Sequence, residues 1–211
     1  MTFSLRRLAW PIKLVKMVVR RNSYLHSTGW VESLKRGYPC RAGGEAIPWM
    51  NYQVVDLLDQ RLQPDLSLFE FGSGFSTRFY AQRVRQVRSV EYDQRWFDQV
   101  SRDVPANVTM LYRKKDVNGH YCRSIRETGE CYDVVIVDGR DRVNCVRQSL
   151  ECLSDRGVLL LDDSERPDYE EAFEIARGMG FRVLDLKGLK PTKLKPARSS
   201  IFYRNDNCLG L

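Results

Sequence analysis

"FEFGSGFSTRFY", residues 69–80, decides how this chain is read. Its first three residues close an apolar run, "LSLFEF" (66–71), with the length and composition of a buried strand. Gly72 and Gly74 follow, one residue apart, and "STRFYAQRV" (76–84) then reads as a helix. In an open α/β sheet, ligands bind beyond the carboxyl ends of the strands. Glycine there permits unusual backbone angles and close approach of a ligand. An ordinary tight turn would need the glycines but not Glu70, an acid inside the strand. The stretch is therefore read as a ligand-binding turn.

Outward from this turn, short apolar runs alternate with amphipathic ones. "VRSVEY" (87–92), "NVTMLYR" (107–113), "YDVVIVDG" (132–139), "RGVLLLDD" (156–163), "FRVLDLKG" (181–188) and "RSSIFYR" (198–204) read as strands two to seven. Helices are expected at "QRWFDQVSRD" (94–103), "VNCVRQSLECL" (143–153) and "DYEEAFEIARGM" (168–179). Another, "PWMNYQVVDLLDQRL" (48–62), precedes strand one, with Pro48 at its first position. The segment 114–131 is read without an element. Strands separated by helices imply a doubly wound, mostly parallel sheet covered on both faces. The link to strand seven is a Lys- and Pro-rich loop with no helix, so strand seven is expected antiparallel.

Two cofactors commonly use such a turn. A nicotinamide dinucleotide prefers G-x-G-x-x-G with its pyrophosphate on the helix N-terminus. Here Thr77 holds the third place, and Glu70 would repel a pyrophosphate. S-adenosylmethionine carries an ammonium and a sulfonium, which suit an acid. Glu91 ends strand two about twenty residues past the first glycine, where an acid accepts from ribose hydroxyls of either cofactor. Asp116, after strand three, is a candidate partner for an adenine amino group. The candidate cofactor set is thus Glu70, Phe71, Gly72, Ser73, Gly74, Ser76, Thr77, Glu91, Tyr92, Asp116 and Asp138.

With "FEFGSG", "VEYD", "VDG" and "LLDD" at the ends of strands one, two, four and five, the chain resembles the class I S-adenosylmethionine-dependent methyltransferases over roughly Pro48 to Arg204. The resemblance implies a seven-stranded Rossmann-like sheet whose last strand is antiparallel. Ser76 departs from that family's G-x-G-x-G pattern at its third glycine. Asp138, Asp162 and Asp163 are expected to converge at the ligand edge, and such clustering requires a cation, a proton or a donor. Mg²⁺ or another divalent ion takes oxygen ligands in this way. The arrangement resembles the catechol O-methyltransferase branch, which implies Asp138, Asp162 and Asp163 as metal ligands, with Asp163 where that branch has Asn. Asp138 and Asp163 are the catalytic candidates. The competing reading makes Asp162 or Asp163 a helix cap and pairs Asp138 with Arg140 or Arg142.

The chain has 211 residues, 43% of them hydrophobic, and a net charge of +7. Length and composition favour one globular domain with an appendage: a basic helical extension over residues 1–47 and the catalytic domain over 48–211. The cysteines form no C-x-x-C pair and only two histidines exist, against structural zinc and for reduced thiols in a cytoplasmic protein. Arg6, Arg7, Lys13, Lys16, Arg20 and Arg21 are interleaved with Leu5, Leu8, Ile12, Val15, Val18 and Val19 at roughly helical spacing. This segment is either a helix lying on an anionic membrane or one packed on the domain with its cations in water. Lys187, Lys190, Lys193, Lys195 and Arg198 overhang the ligand edge, beside Arg140, Arg142 and Arg166. The acceptor expected from this rim is an anionic small molecule or glycan, lipid-linked forms included, ahead of nucleic acid. The expectation is an O-methyltransferase. The rivals are a nicotinamide-dependent oxidoreductase and a non-catalytic glycan- or membrane-binding protein.

Overall fold

The structure is a computed structural model, and it describes residues 10–211. The part of the expected basic extension before Trp10 lies outside the described residues. Three short helices come first: α1 (Trp10–Val19), α2 (Tyr24–Ser27) and α3 (Trp30–Arg36). From Trp30 onward the extension is tied to the body. Trp30 Nε1 donates to the Lys193 carbonyl at 2.9 Å, and Cys40, which bridges Ala46 in antiparallel fashion, is fully buried.

The helix α4 (Tyr52–Arg61) leads into β1 (Ser67–Phe71), α5 (Phe75–Ala81), β2 (Gln86–Glu91), α6 (Gln94–Val100) and β3 (Val108–Tyr112). Next come α7 (His120–Glu127), β4 (Tyr132–Val137), α8 (Arg142–Ser149), β5 (Leu153–Leu161), α9 (Glu170–Gly178), β6 (Arg182–Leu189) and β7 (Pro196–Tyr203). The strands form one seven-stranded sheet in the order β3-β2-β1-β4-β5-β7-β6. β1 pairs in parallel with β2 and β4, and β7 runs antiparallel to both β5 and β6. The expected doubly wound sheet with an antiparallel last strand is therefore present.

The period-2 alternation of strand side chains divides the core between the two faces. Phe69, Phe71, Val135, Val137, Leu159 and Leu161 pack on one side with Tyr121, Cys145 and Phe173 from α7, α8 and α9. Leu68, Val134, Ile136, Val158 and Leu160 pack on the other with Val55, Leu58 and Phe79 from α4 and α5. Both faces are covered, so all five residues of β1 are buried, Glu70 included.

Two elements differ from the sequence expectation. α4 begins at Tyr52 rather than Pro48, because Asn51 caps it: its Oδ1 accepts from the Val54 amide at 3.1 Å. Helix α7 lies in the segment read without an element. Its sequence, "HYCRSIRE", is mostly polar, and only Tyr121, Cys122 and Ile125 provide an apolar face. The overlooked signal is Asp116, whose carboxylate accepts from the amides of His120 at 2.6 Å and Tyr121 at 3.1 Å. That bond offsets the unpaired donors of a helix start.

The same Asn51 donates to the Leu186 carbonyl at 3.0 Å and to Ser199 Oγ at 2.9 Å, which joins α4 to β6 and β7. Asn51→Ala removes a cap and strands buried acceptors, so it is expected to cost about 2 kcal/mol. Urea unfolding of the two proteins checks this value.

Candidate functional site

The strand order reverses between β1 and β4. The loop after β1 leads toward β2 and the loop after β4 toward β5, which opens a crevice at the carboxyl edge. The two loops meet at glycines. Gly72 has φ +93, and a Cβ there would lie 3.0 Å from the Gly139 Cα. A cavity of about 600 Å³ occupies the crevice. Of the residues expected at the cofactor, Gly72, Ser73, Gly74, Ser76, Glu91, Tyr92 and Asp138 line it.

Glu70, Phe71, Thr77 and Asp116 are not among its lining residues, and each has another task. Phe71 is fully buried in the core, and Asp116 caps α7. Glu70 is 1% exposed and accepts from three hydroxyls: Ser76 Oγ, Thr77 Oγ1 at 2.7 Å and Ser89 Oγ at 2.8 Å. Thr77 Oγ1 in turn accepts from the Gly74 amide at 3.0 Å. Glu70 therefore braces the glycine turn from beneath rather than meeting a ligand. Burial pushes its carboxyl up to about 7, against the three hydroxyls that favour the charged form.

Glu91 braces the turn from the β2 side. Its carboxylate accepts from Ser73 N and Oγ, both at 3.0 Å, and from the amides of Tyr92 at 2.8 Å and Asp93 at 2.9 Å. Two amides of the glycine turn, those of Ser73 and Gly74, are thus spent on protein side chains. A pyrophosphate would need them free. The remaining wall carries groups that suit a cationic, aromatic ligand. Asp93 and Asp138 add acids, and Phe75, Tyr92 and Trp96 add rings. Trp96 Nε1 donates to the Ser73 carbonyl at 2.8 Å, and a Cβ on Gly74 would lie 3.4 Å from its ring.

Asp138, Asp162 and Asp163 do converge: one oxygen of each lies within 4.8 Å of the others. An ammonium joins two of them, and a guanidinium holds the third. Lys190, 7% exposed, reaches Asp162 Oδ2 and Asp163 Oδ1, each at 2.6 Å. Arg142 reaches Asp138 Oδ1 at 2.9 Å, Arg166 reaches Asp163 Oδ2 at 2.6 Å, and Ser199 Oγ donates to Asp162 at 2.6 Å. Burial works to lower the Lys190 ammonium, but Asp162, Asp138 and Asp163 more than offset it and hold it above its ordinary range. Lys190 therefore stays charged. Three carboxylates already facing three cations do not fit a divalent ion as well, so no step is derived through one. The alternative pairing of Asp138 with Arg142 is the one present. Burial first, then Asp162, push Asp138 up to about 8, against Arg142 and Lys190. Burial also raises Asp163, yet Lys190, Arg142 and Arg166 hold it below the usual carboxylate range.

Several wall residues had no individual signal in the sequence. Phe75, Asp93 and Trp96 belong to the turn and to the start of α6, where Asp93 reads only as a cap; it accepts from the Trp96 amide at 3.0 Å. Pro39 comes from the segment before β1. Trp49, Met50 and Tyr52, also ahead of β1, are in sequence terms candidates for an acceptor wall; Trp49 lines the cavity, its Nε1 donating to the Pro191 carbonyl at 2.9 Å, whereas Met50 and Tyr52 are fully buried. Arg140, Arg142 and Arg166 line the cavity's far side, as the basic rim led one to expect. Arg140 Nε donates to Tyr92 Oη at 3.2 Å.

No family model and no curated protein matches the sequence. Solved structures match the fold. The chain is similar to precorrin-8w decarboxylase of Methanobacterium thermoautotrophicum, with TM-score 0.55 and 16% identity over 72% of this chain and 87% of that one. It is similar to precorrin-6y C5,15-methyltransferase of Geobacter metallireducens, with TM-score 0.53 and 17% identity over 72% and 87%. It is also similar to a Streptococcus mutans protein described as a methyltransferase and solved with SAH, with TM-score 0.51 and 15% identity over 71% and 93%. The chain has the class I methyltransferase fold.

Two expectations test the site's electrostatics. The folded Glu70 binds its proton more tightly than the unfolded one, so its contribution makes stability fall as pH rises from about 4.5 to about 7. In Glu70→Gln that component is absent, and the fall should flatten by about 3 kcal/mol across the window. Urea unfolding at a series of pH values measures the difference. For the second, the wild-type melting temperature should be indifferent to EDTA and Mg²⁺. Lys190→Met should lose about 3 kcal/mol, as breaking a buried pair does, and recover part of it when Mg²⁺ is added.

Proposed function

We propose, from the class I methyltransferase fold of this chain, that it is an S-adenosylmethionine-dependent methyltransferase acting on an oxygen of an anionic small-molecule or glycan acceptor. One observation carries the choice of cofactor. The glycine turn offers its cavity no free Ser73 or Gly74 amide for a phosphate, while acids and aromatic rings surround it. That combination suits a sulfonium and an ammonium and disfavours a dinucleotide. The solved S. mutans neighbour, described as a methyltransferase, was crystallised with SAH, which supports the same choice.

When bound, S-adenosylmethionine supplies an electrophilic methyl group on sulfur. This chain's residues then have three tasks. Gly72 and Gly74 let the ligand approach the backbone, with Glu70 and Glu91 keeping the turn in shape from either side. Arg140 and Arg166 hold the anionic part of the acceptor at the far wall. Asp138, in its ionised form, would take the acceptor hydroxyl's proton as the oxygen–carbon bond replaces the methyl–sulfur bond. Arg142 steadies Asp138 through that change: its guanidinium also donates to the carbonyls of Gly139 at 3.0 Å and Asp162 at 2.5 Å. Alignment and exclusion of water supply most of the acceleration.

Calorimetric titration tests the cofactor. SAH and S-adenosylmethionine should bind, and NAD should not; the reverse result would replace the proposal with an oxidoreductase. Because the sulfonium is cationic and the thioether of SAH is not, ionising Asp138 should favour S-adenosylmethionine over SAH. The preference should therefore grow as pH rises through about 8 and stay flat in Asp138→Asn. A screen with tritiated methyl donor on glycan, lipid and RNA fractions then tests the acceptor. Label is expected in an anionic glycan or lipid fraction, with or without EDTA. Label confined to RNA would overturn that part.

A further inference from the structure

Helix α1 takes no part in the site or the core. None of its residues is buried. Trp10 is 61% exposed, Val15 61% and Val19 67%, with Ile12, Leu14, Met17 and Val18 also exposed. The alternative in which this helix packs on the domain is therefore not the one adopted. Its C-terminal end is nevertheless closed. Ser23 Oγ donates to the Met17 carbonyl at 2.6 Å, the Arg20 amide to Lys16 at 2.9 Å, and His26 Nε2 meets the Val18 carbonyl at 2.7 Å. The exposed side chains belong to a finished helix.

At about 100° per residue, Lys13, Lys16 and Arg20 fall within an arc of about 60°, and the apolar residues fill the remainder. The charge is one-sided along the chain as well. Arg6, Arg7, Lys13, Lys16, Arg20 and Arg21 all precede Glu32, the first acid in the sequence. We propose that α1 is a docking element for an anionic lipid surface, lying in the plane of the headgroups with Leu14, Val15 and Val18 toward the acyl chains. A second copy of this chain would bring like charges together. A nucleic acid would neutralise the cations but leave the wide apolar arc in water. An anionic bilayer satisfies both faces at once. The described part of α1 spans about 15 Å, half of a hydrocarbon core, and its lysines suit a helix lying at the headgroups. Among the described residues, no helix is long and apolar enough to cross. This reading does not rest on the methyl-transfer proposal.

Vesicle flotation of the full chain tests it, with phosphatidylcholine alone and with phosphatidylcholine mixed with phosphatidylglycerol. The wild type should partition into the anionic vesicles at least about tenfold more than into the neutral ones, and high salt should weaken this. Lys13→Glu with Lys16→Glu should abolish the preference. Val15→Asp with Val18→Asp should abolish binding to both compositions. Because α1 buries nothing, neither pair should move the urea midpoint, so loss of binding separates from loss of folding. Equal binding to both compositions, binding to neither, or wild-type binding by either variant would overturn the proposal. So would a dimer in light scattering that Val15→Asp with Val18→Asp disperses, or binding to RNA with none to vesicles.

Discussion

Five carboxylates, those of Glu70, Glu91, Asp138, Asp162 and Asp163, stand at the ends of β1, β2, β4 and β5, and the site follows from how each is satisfied. Burying an ionised carboxylate without a partner is among the most costly things a fold can do. Glu70 is met by three hydroxyls, Glu91 by three amides and a hydroxyl, and Asp138, Asp162 and Asp163 by Lys190, Arg142 and Arg166. Each solution fixes a loop. The hydroxyls of Ser76 and Thr77 pull the start of α5 onto β1. The Ser73 contacts pull the glycine turn onto β2. Lys190 pulls the end of β6 over β5.

These attachments explain why the cavity has a rigid floor and an aromatic wall. Glu70 and Glu91 are both saturated by the protein, and Glu91 shares the crevice wall with Asp93, Asp138, the rings of Phe75, Tyr92 and Trp96, and the arginines Arg140, Arg142 and Arg166. The division is between acids that build the turn and acids that face a ligand. Asp138, with its carboxyl raised by burial and by Asp162, is on the crevice wall together with Arg142.

Lys190 shows how one tertiary contact changes the chemistry a sequence suggests. An Asp after strand four and a pair after strand five are an oxygen-ligand set in sequence terms, and their convergence is real. The ammonium that joins Asp162 to Asp163 comes from just beyond β6, more than two dozen residues along the chain, at a distance no local pattern registers. A fixed cation does the neutralising that a divalent ion would otherwise do.

The succession of strands and helices along the chain, the antiparallel ending and the position of the glycine turn were legible because they rest on local periodicity. Alternation of apolar side chains and the absence of a helix before β7 are properties of neighbouring residues. Gly72, Ser73, Gly74, Ser76, Glu91, Tyr92 and Asp138 could be placed at the crevice for the same reason, since the end of a strand can be read from the strand. Helix α7 was not legible, because its three buried apolar side chains are too few to mark a face. The direction in which Glu70, Glu91 and Asp116 point was not legible either: a carboxylate turns toward whichever donors packing brings within hydrogen-bonding distance. Sequence alone determined that acids and glycines would gather at one sheet edge. Only the tertiary structure decided which acids are spent on the fold and which face the cavity, because their partners Ser89, Arg142 and Lys190 are brought there by other elements.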